Sequence, residues 1–104
     1  MKNPGRFKKR DANHKDICMW FKNLNCSVLD LHTVGFGCPD ILVGFGGETL
    51  LVEIKSKSGE LEDSQNKFIN EWRGGKVHVV RTVEDVISLF SYADKRAKFR
   101  GGAI

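Results

Sequence analysis

At 104 residues the chain is long enough for one domain and too short for two, and its 40% hydrophobic share is that of an ordinary globular core. The longest apolar run, residues 41–45, is far too short to span a bilayer, and no apolar stretch follows the basic MKNPGRFKKR, so neither a membrane partner nor a signal peptide is expected. The charge of +4 is uneven: residues 1–10 hold +5 and 94–104 hold +3, which leaves −4 for residues 11–93.

In chain order, residues 1–10 carry Pro4, Gly5 and no periodic pattern, and read as an irregular basic arm. From Asp11 to about Leu24, Ile17, Trp20, Phe21 and Leu24 recur at helical spacing and predict an amphipathic helix with both the Trp and the Phe in the core. Val28 to Val34 alternates and predicts a strand, followed by the turn-rich loop Gly35-Phe36-Gly37-Cys38-Pro39. Two strand-like runs, 40–45 and 48–55, flank Gly46-Gly47, a strong hairpin signal because a tight primed turn needs positive φ. After a loop at 56–60, Leu61, Phe68, Ile69 and Trp72 mark a second helix that stops at Gly74-Gly75, with Trp72 on its apolar face and read as core. Residues 77–80 predict a short strand. Thr82-Val83-Glu84-Asp85 is a close variant of the capping box and opens a helix carrying Val83, Val86, Ile87 and Phe90. The expected fold is α/β: a mixed sheet of about four strands flanked by helices, in the order α-β-β-β-α-β-α, as one domain over residues 11–93 between basic ends at 1–10 and 94–104.

The chemistry concentrates in the hairpin. With Gly46-Gly47 at the turn, residue i pairs with 93 − i, so Asp40 stands opposite Glu53. Cross-strand partners lie about 5 Å apart. Lys55, two residues on, projects from the same face as Glu53. The rest of the hairpin is apolar and reads as buried on both faces. A Glu–Lys pair at a strand end can be structural, but a second acid at contact distance is destabilising unless a cation lies between. Two carboxylates with water and a phosphate oxygen make an oxygen-rich site suited to Mg2+, with Mn2+ able to substitute. A lysine beside it can orient or deprotonate the attacking water, or offset charge on a phosphorane.

These residues resemble a known motif. Pro39-Asp40 followed by Glu53-Ile54-Lys55 resembles the PD-(D/E)XK signature of the restriction-endonuclease-like nucleases. The wider series Gly37-Cys38-Pro39-Asp40, Glu53-Ile54-Lys55, Ser58-Gly59-Glu60-Leu61, Gln65 and Val79-Val80-Arg81-Thr82 is similar to VRR-NUC domains, of the stand-alone kind found in bacteriophages and prophages. The resemblance covers roughly residues 11–92. It implies Asp40 and Glu53 as metal ligands with the Ile54 carbonyl, Lys55 as the catalytic lysine, and Gln65 as a supporting group from the second helix. The family carries an acid early in its first helix. Here the choices are Asp11 and Asp16, neither a Glu, with Asp11 preferred as a metal ligand and a solvated helix-start Asp as the competing reading.

The function implied is a metal-dependent endodeoxyribonuclease acting as a homodimer on branched DNA, a Holliday-junction resolvase, in the cytoplasm of a bacterial host. Two rivals stand beside it: a phage endonuclease that nicks DNA without junction preference, and a non-catalytic DNA-binding module of the same fold. The expected DNA contacts are Lys8, Lys9 and Arg10 in the arm, Lys57 and Arg81. For each a plain reading also exists: solubility for the arm, a solvated loop for Lys57, a strand-to-helix brace for Arg81 and an exposed helix position for Gln65. Cys18, Cys26 and Cys38, odd in number and not closely paired, read as reduced thiols of a cytosolic protein. A zinc site joining them to His14 or His32 has no C-x-x-C pair to support it.

Overall fold

The computed structural model describes residues 11–91. It contains α1 (His14–Asn23), β1 (Ser27–Asp30), β2 (Ile41–Phe45), β3 (Glu48–Ile54), α2 (Asp63–Glu71) and β4 (Val77–Val80). A third helix, α3, begins at residue 83 and runs to the last described position, 91. The strands form one mixed sheet in the order β1-β2-β3-β4, antiparallel except for the parallel β3–β4 pair. The expected α-β-β-β-α-β-α order and mixed sheet are therefore present.

The β2–β3 hairpin turns on Gly46 and Gly47, both at positive φ (56° and 80°), and its register runs from Ile41↔Val52 to Phe45↔Glu48. A parallel neighbour cannot follow directly, so the chain crosses over through α2 before laying down β4. α1 closes on Asn25, whose φ of 69° is left-handed. Asn25 N–H donates to Lys22 O and Cys26 N–H to Phe21 O, the pairing of a Schellman motif. At the start of α3, Asp85 N–H donates to Thr82 Oγ1 and Thr82 N–H to Asp85 Oδ2, so the capping box expected there is made.

One face of the sheet carries the core. Ile17 and Phe21 of α1 and Val86 and Leu89 of α3 pack with Ile41, Val43, Leu50, Val52, Ile54 and Val80. Phe90 adds a tilted contact to Phe45, ring centroids 4.5 Å apart. The hairpin is not buried on both faces, as its apolar sequence suggests: Leu42 and Leu51 are half-buried and Thr49 is exposed.

Three further expectations are corrected. Trp20 and Trp72, read as core, are 41% and 47% exposed; α1 turns Ile17 and Phe21 inward instead, and Trp72 lies beyond the end of α2, stacked on Phe68. β1 stops at Asp30 and not at Val34. After Leu31 N–H donates to Asp40 O, the chain leaves the ladder in a turn, in which the His32 N–H donates to Asp30 Oδ1 at 2.7 Å and the Val34 N–H to Leu31 O. α1 starts at His14 and not at Asp11. Among the described residues, no helix is long and apolar enough to cross a membrane.

Candidate metal and phosphodiester site

Asp40, Glu53 and Lys55 are all buried, at 2%, 1% and 7% exposure. Asp40 immediately precedes β2, and continuing the hairpin register by one step sets it against Glu53 in β3. The two carboxylates are aimed by hydrogen bonds from different elements. Ile54 N–H donates to Asp40 Oδ2 at 2.7 Å, so the strand that carries Glu53 also holds Asp40. Gln65 Nε2 donates to Glu53 Oε2 at 2.8 Å.

Gln65 itself is fixed from the other end, because its Oε1 accepts the Glu62 N–H at 2.8 Å at the start of α2. At 1% exposure it is not the ordinary exposed helix residue that its sequence position also allowed. One amide thus caps the helix and positions a carboxylate. Lys55 lies one residue past β3, still tied to β4 by its own N–H to Val80 O at 3.0 Å.

Around this centre a second set of contacts holds the strand ends. Asn13 Nδ2 donates to Lys55 O at 2.9 Å and to Arg81 O at 3.0 Å. It makes no side-chain cap for its own helix; it joins the ends of β3 and β4 instead. Arg81 Nη1 donates to Ser56 O at 2.8 Å and to Gly59 O, and the Arg81 N–H donates to Asp85 Oδ2. The guanidinium is therefore a brace for the loop after Lys55. Asp11 Oδ2 accepts the Ser56 N–H at 2.5 Å, which places Asp11 on the same loop, whereas Asp16 is exposed. Asn13 escapes a reading of the sequence because an Asn before a helix looks like an N-cap, and nothing local shows partners 42 and 68 residues away.

Among the described residues, no group of three or more His, Cys, Asp or Glu side chains is placed to hold a metal ion. Asp11 does not join Asp40 and Glu53 in such a group, and the three cysteines are not in disulfides and belong to no such group either. Burial pushes the Cys26 thiol above its ordinary pKa. Lys57 is exposed on the loop after the site. Lys8, Lys9 and Arg10, with the tail at 94–104, lie outside the described residues. No protein-family model matches the chain, and no curated protein matches it either.

Proposed function

We propose that the chain is a metal-dependent endodeoxyribonuclease, similar to VRR-NUC domains of the PD-(D/E)XK kind, with Asp40, Glu53 and Lys55 at its centre. The observation that supports this reading is the burial of two carboxylates at one end of a hairpin, each oriented by a dedicated donor. Removing an ion from water costs on the order of several kcal/mol, and two like charges add repulsion. A fold that needed only stability gains nothing from such a pair.

The donor set fits a hard divalent cation. Asp40, Glu53 and the main-chain carbonyl of Ile54 offer oxygen ligands only, the choice of Mg2+ or Mn2+ over softer metals. When bound, such an ion supplies Lewis acidity at the phosphate and acidifies a water molecule. The chain's own groups have distinct tasks. Gln65 keeps the Glu53 carboxylate turned inward, Asn13 and Arg81 hold the strand end that carries Lys55, and the Lys55 ammonium offsets the negative charge that builds on the phosphorane oxygens. Exposed Lys57 and the basic residues Lys8, Lys9 and Arg10 suit contacts to the DNA backbone. By the same resemblance, the substrate is a four-way junction met by a homodimer, whose two-fold axis matches that of the junction; the setting is the cytoplasm of a bacterial host.

The rivals are the unselective endonuclease and the DNA-binding module without catalysis. Cleavage of matched four-way junction, flap and linear duplex DNAs, in Mg2+ and in EDTA, separates the readings. The nuclease cuts in Mg2+ alone and prefers the junction. Equal nicking of all three substrates favours the unselective endonuclease, and binding without cleavage in Mg2+ or Mn2+ favours the module.

A further inference from the structure

Phe36 lies in the loop that leads to Asp40, four residues before it, and is not part of the machinery assigned to the carboxylate pair. At 67% it is the most exposed of the large hydrophobic residues described. Its φ is +57°, and its neighbours Gly35 and Gly37 are at +74° and +80°, a left-handed run that a side chain such as Phe rarely adopts. Packing enforces it. A Cβ at Gly37 would lie 2.1 Å from Ser64 O and 3.2 Å from Gln65 N, so the loop rests directly on the first turn of α2. That turn contains Gln65, whose amide holds Glu53. A strained backbone that rests on the first turn of α2 and presents an aromatic ring to solvent is an arrangement suited to a ligand contact.

The ring borders a hollow of about 310 Å³ shared with Ser64, Lys67, Phe68 and Glu71. Phe68 is itself stacked on Trp72, centroids 5.3 Å apart and planes 13° from parallel. The walls offer two aromatic rings, one hydroxyl, one ammonium and one carboxylate. The two charges balance, so the hollow does not select a phosphate. Aromatic faces with a donor and an acceptor at the rim suit a flat, uncharged ring with hydrogen-bonding edges, which describes a nucleobase.

We infer that Phe36 stacks on an unpaired base of the DNA, with Ser64, Lys67 and Glu71 meeting the edge of that base. The inference rests on the nuclease reading and adds a substrate class to it: DNA with an unpaired base. Stacking of this kind tolerates any base, so it selects structure and not sequence.

The test uses a flap DNA carrying 2-aminopurine at the unpaired position and a fully paired control, titrated in EDTA so that binding is read without cleavage. Wild type and Phe36→Trp should change the 2-aminopurine fluorescence on binding. Phe36→Ala and Phe36→Leu should lose that change and bind the flap about tenfold more weakly, the loss expected of one base stack, with duplex binding altered less than about twofold. Leu keeps the apolar bulk, so the Trp–Leu contrast carries the test even if the Ala variant folds poorly. Unchanged fluorescence and affinity in Phe36→Leu would overturn the inference. So would a shift from dimer to monomer in sedimentation as the variant's only effect, since the occupant would then be a second copy of the chain. Cleavage in Mg2+ keeps the two proposals apart. A wild type that shows the Phe36-dependent signal but never cuts retains the base site and loses the nuclease; one that cuts regardless of Phe36 does the reverse.

Discussion

At the scale of single residues, the site places each charge under separate control, and substitutions can address each in turn. Asp40→Asn and Glu53→Gln keep shape and remove a charged ligand. Both are expected to abolish cleavage while leaving DNA binding within a few-fold of wild type, as checked by single-turnover cleavage and by titration in EDTA. Lys55→Met should lower the cleavage rate about a hundredfold or more, the usual effect of removing one transition-state stabiliser, with divalent binding retained; near wild-type cleavage would make the lysine structural. The thiols give a pH test. Cys26 is buried and its pKa is raised above the ordinary 9.0. The folded state therefore holds that proton in a range where the unfolded chain has released it. Below about pH 9 the group is neutral in both states and contributes no pH dependence. As the pH rises above that value, stability should fall. Urea melts at pH 8 and pH 10 measure this, and replacing Cys26 by Ala should reduce the difference. At pH 8, iodoacetamide should modify the half-buried Cys18 and Cys38 before Cys26.

At the scale of elements, the site is built where four segments converge: the loop before β2, the end of β3, the first turn of α2 and the end of β4. Gly37 lets the first of these lie against the third. Gly37→Ala would drive a Cβ into the Ser64 carbonyl at 2.1 Å and would force a left-handed φ on a residue with a side chain. Overpacking costs about 1–3 kcal/mol and the backbone conformation about 1 more, so a loss of about 3 kcal/mol is expected in a denaturant melt. By contrast, Gly46 and Gly47 have no neighbour within 4 Å of an added Cβ; alanine there costs only the backbone term. On the opposite face, Phe21 is 1% exposed and anchors α1 to the sheet. Phe21→Ala should cost about 3–5 kcal/mol, enough to take a domain of this size to the edge of stability.

At the scale of the molecule, the charge distribution bears on how a polyanion is approached. The body over residues 11–93 sums to −4, whereas the ends at 1–10 and 94–104 hold nine of the seventeen Lys and Arg residues. Deleting residues 1–9 should weaken DNA binding and flatten its dependence on salt, because fewer counterions are released per complex. Cleavage at saturating protein should survive, since no proposed ligand lies in that segment. An unchanged salt slope would remove the arm from the interface, and sedimentation as a monomer at working concentration would remove the two-fold junction reading.

Much of the fold and of the carboxylate pair is legible in the amino-acid sequence alone. The Gly46-Gly47 turn, the 93 − i register and the capping box at Thr82–Asp85 depend on residues close in sequence, and local backbone geometry dictates them. The same locality lets Asp40 be paired with Glu53, since a two-residue turn leaves only one register. What stays hidden depends on which face of an element acquires a neighbour. Periodicity shows that Trp20, Phe21 and Ile17 share a side of α1, but not that the sheet covers Ile17 and Phe21 and leaves Trp20 in solvent. Nor can local pattern show that Leu42 and Leu51 stay half-buried, that Arg81 commits Nη1 to the Ser56 and Gly59 carbonyls, or that Asn13 ties Lys55 to Arg81. These contacts join segments tens of residues apart, and only the packed arrangement of sheet and helices brings such groups within hydrogen-bonding distance.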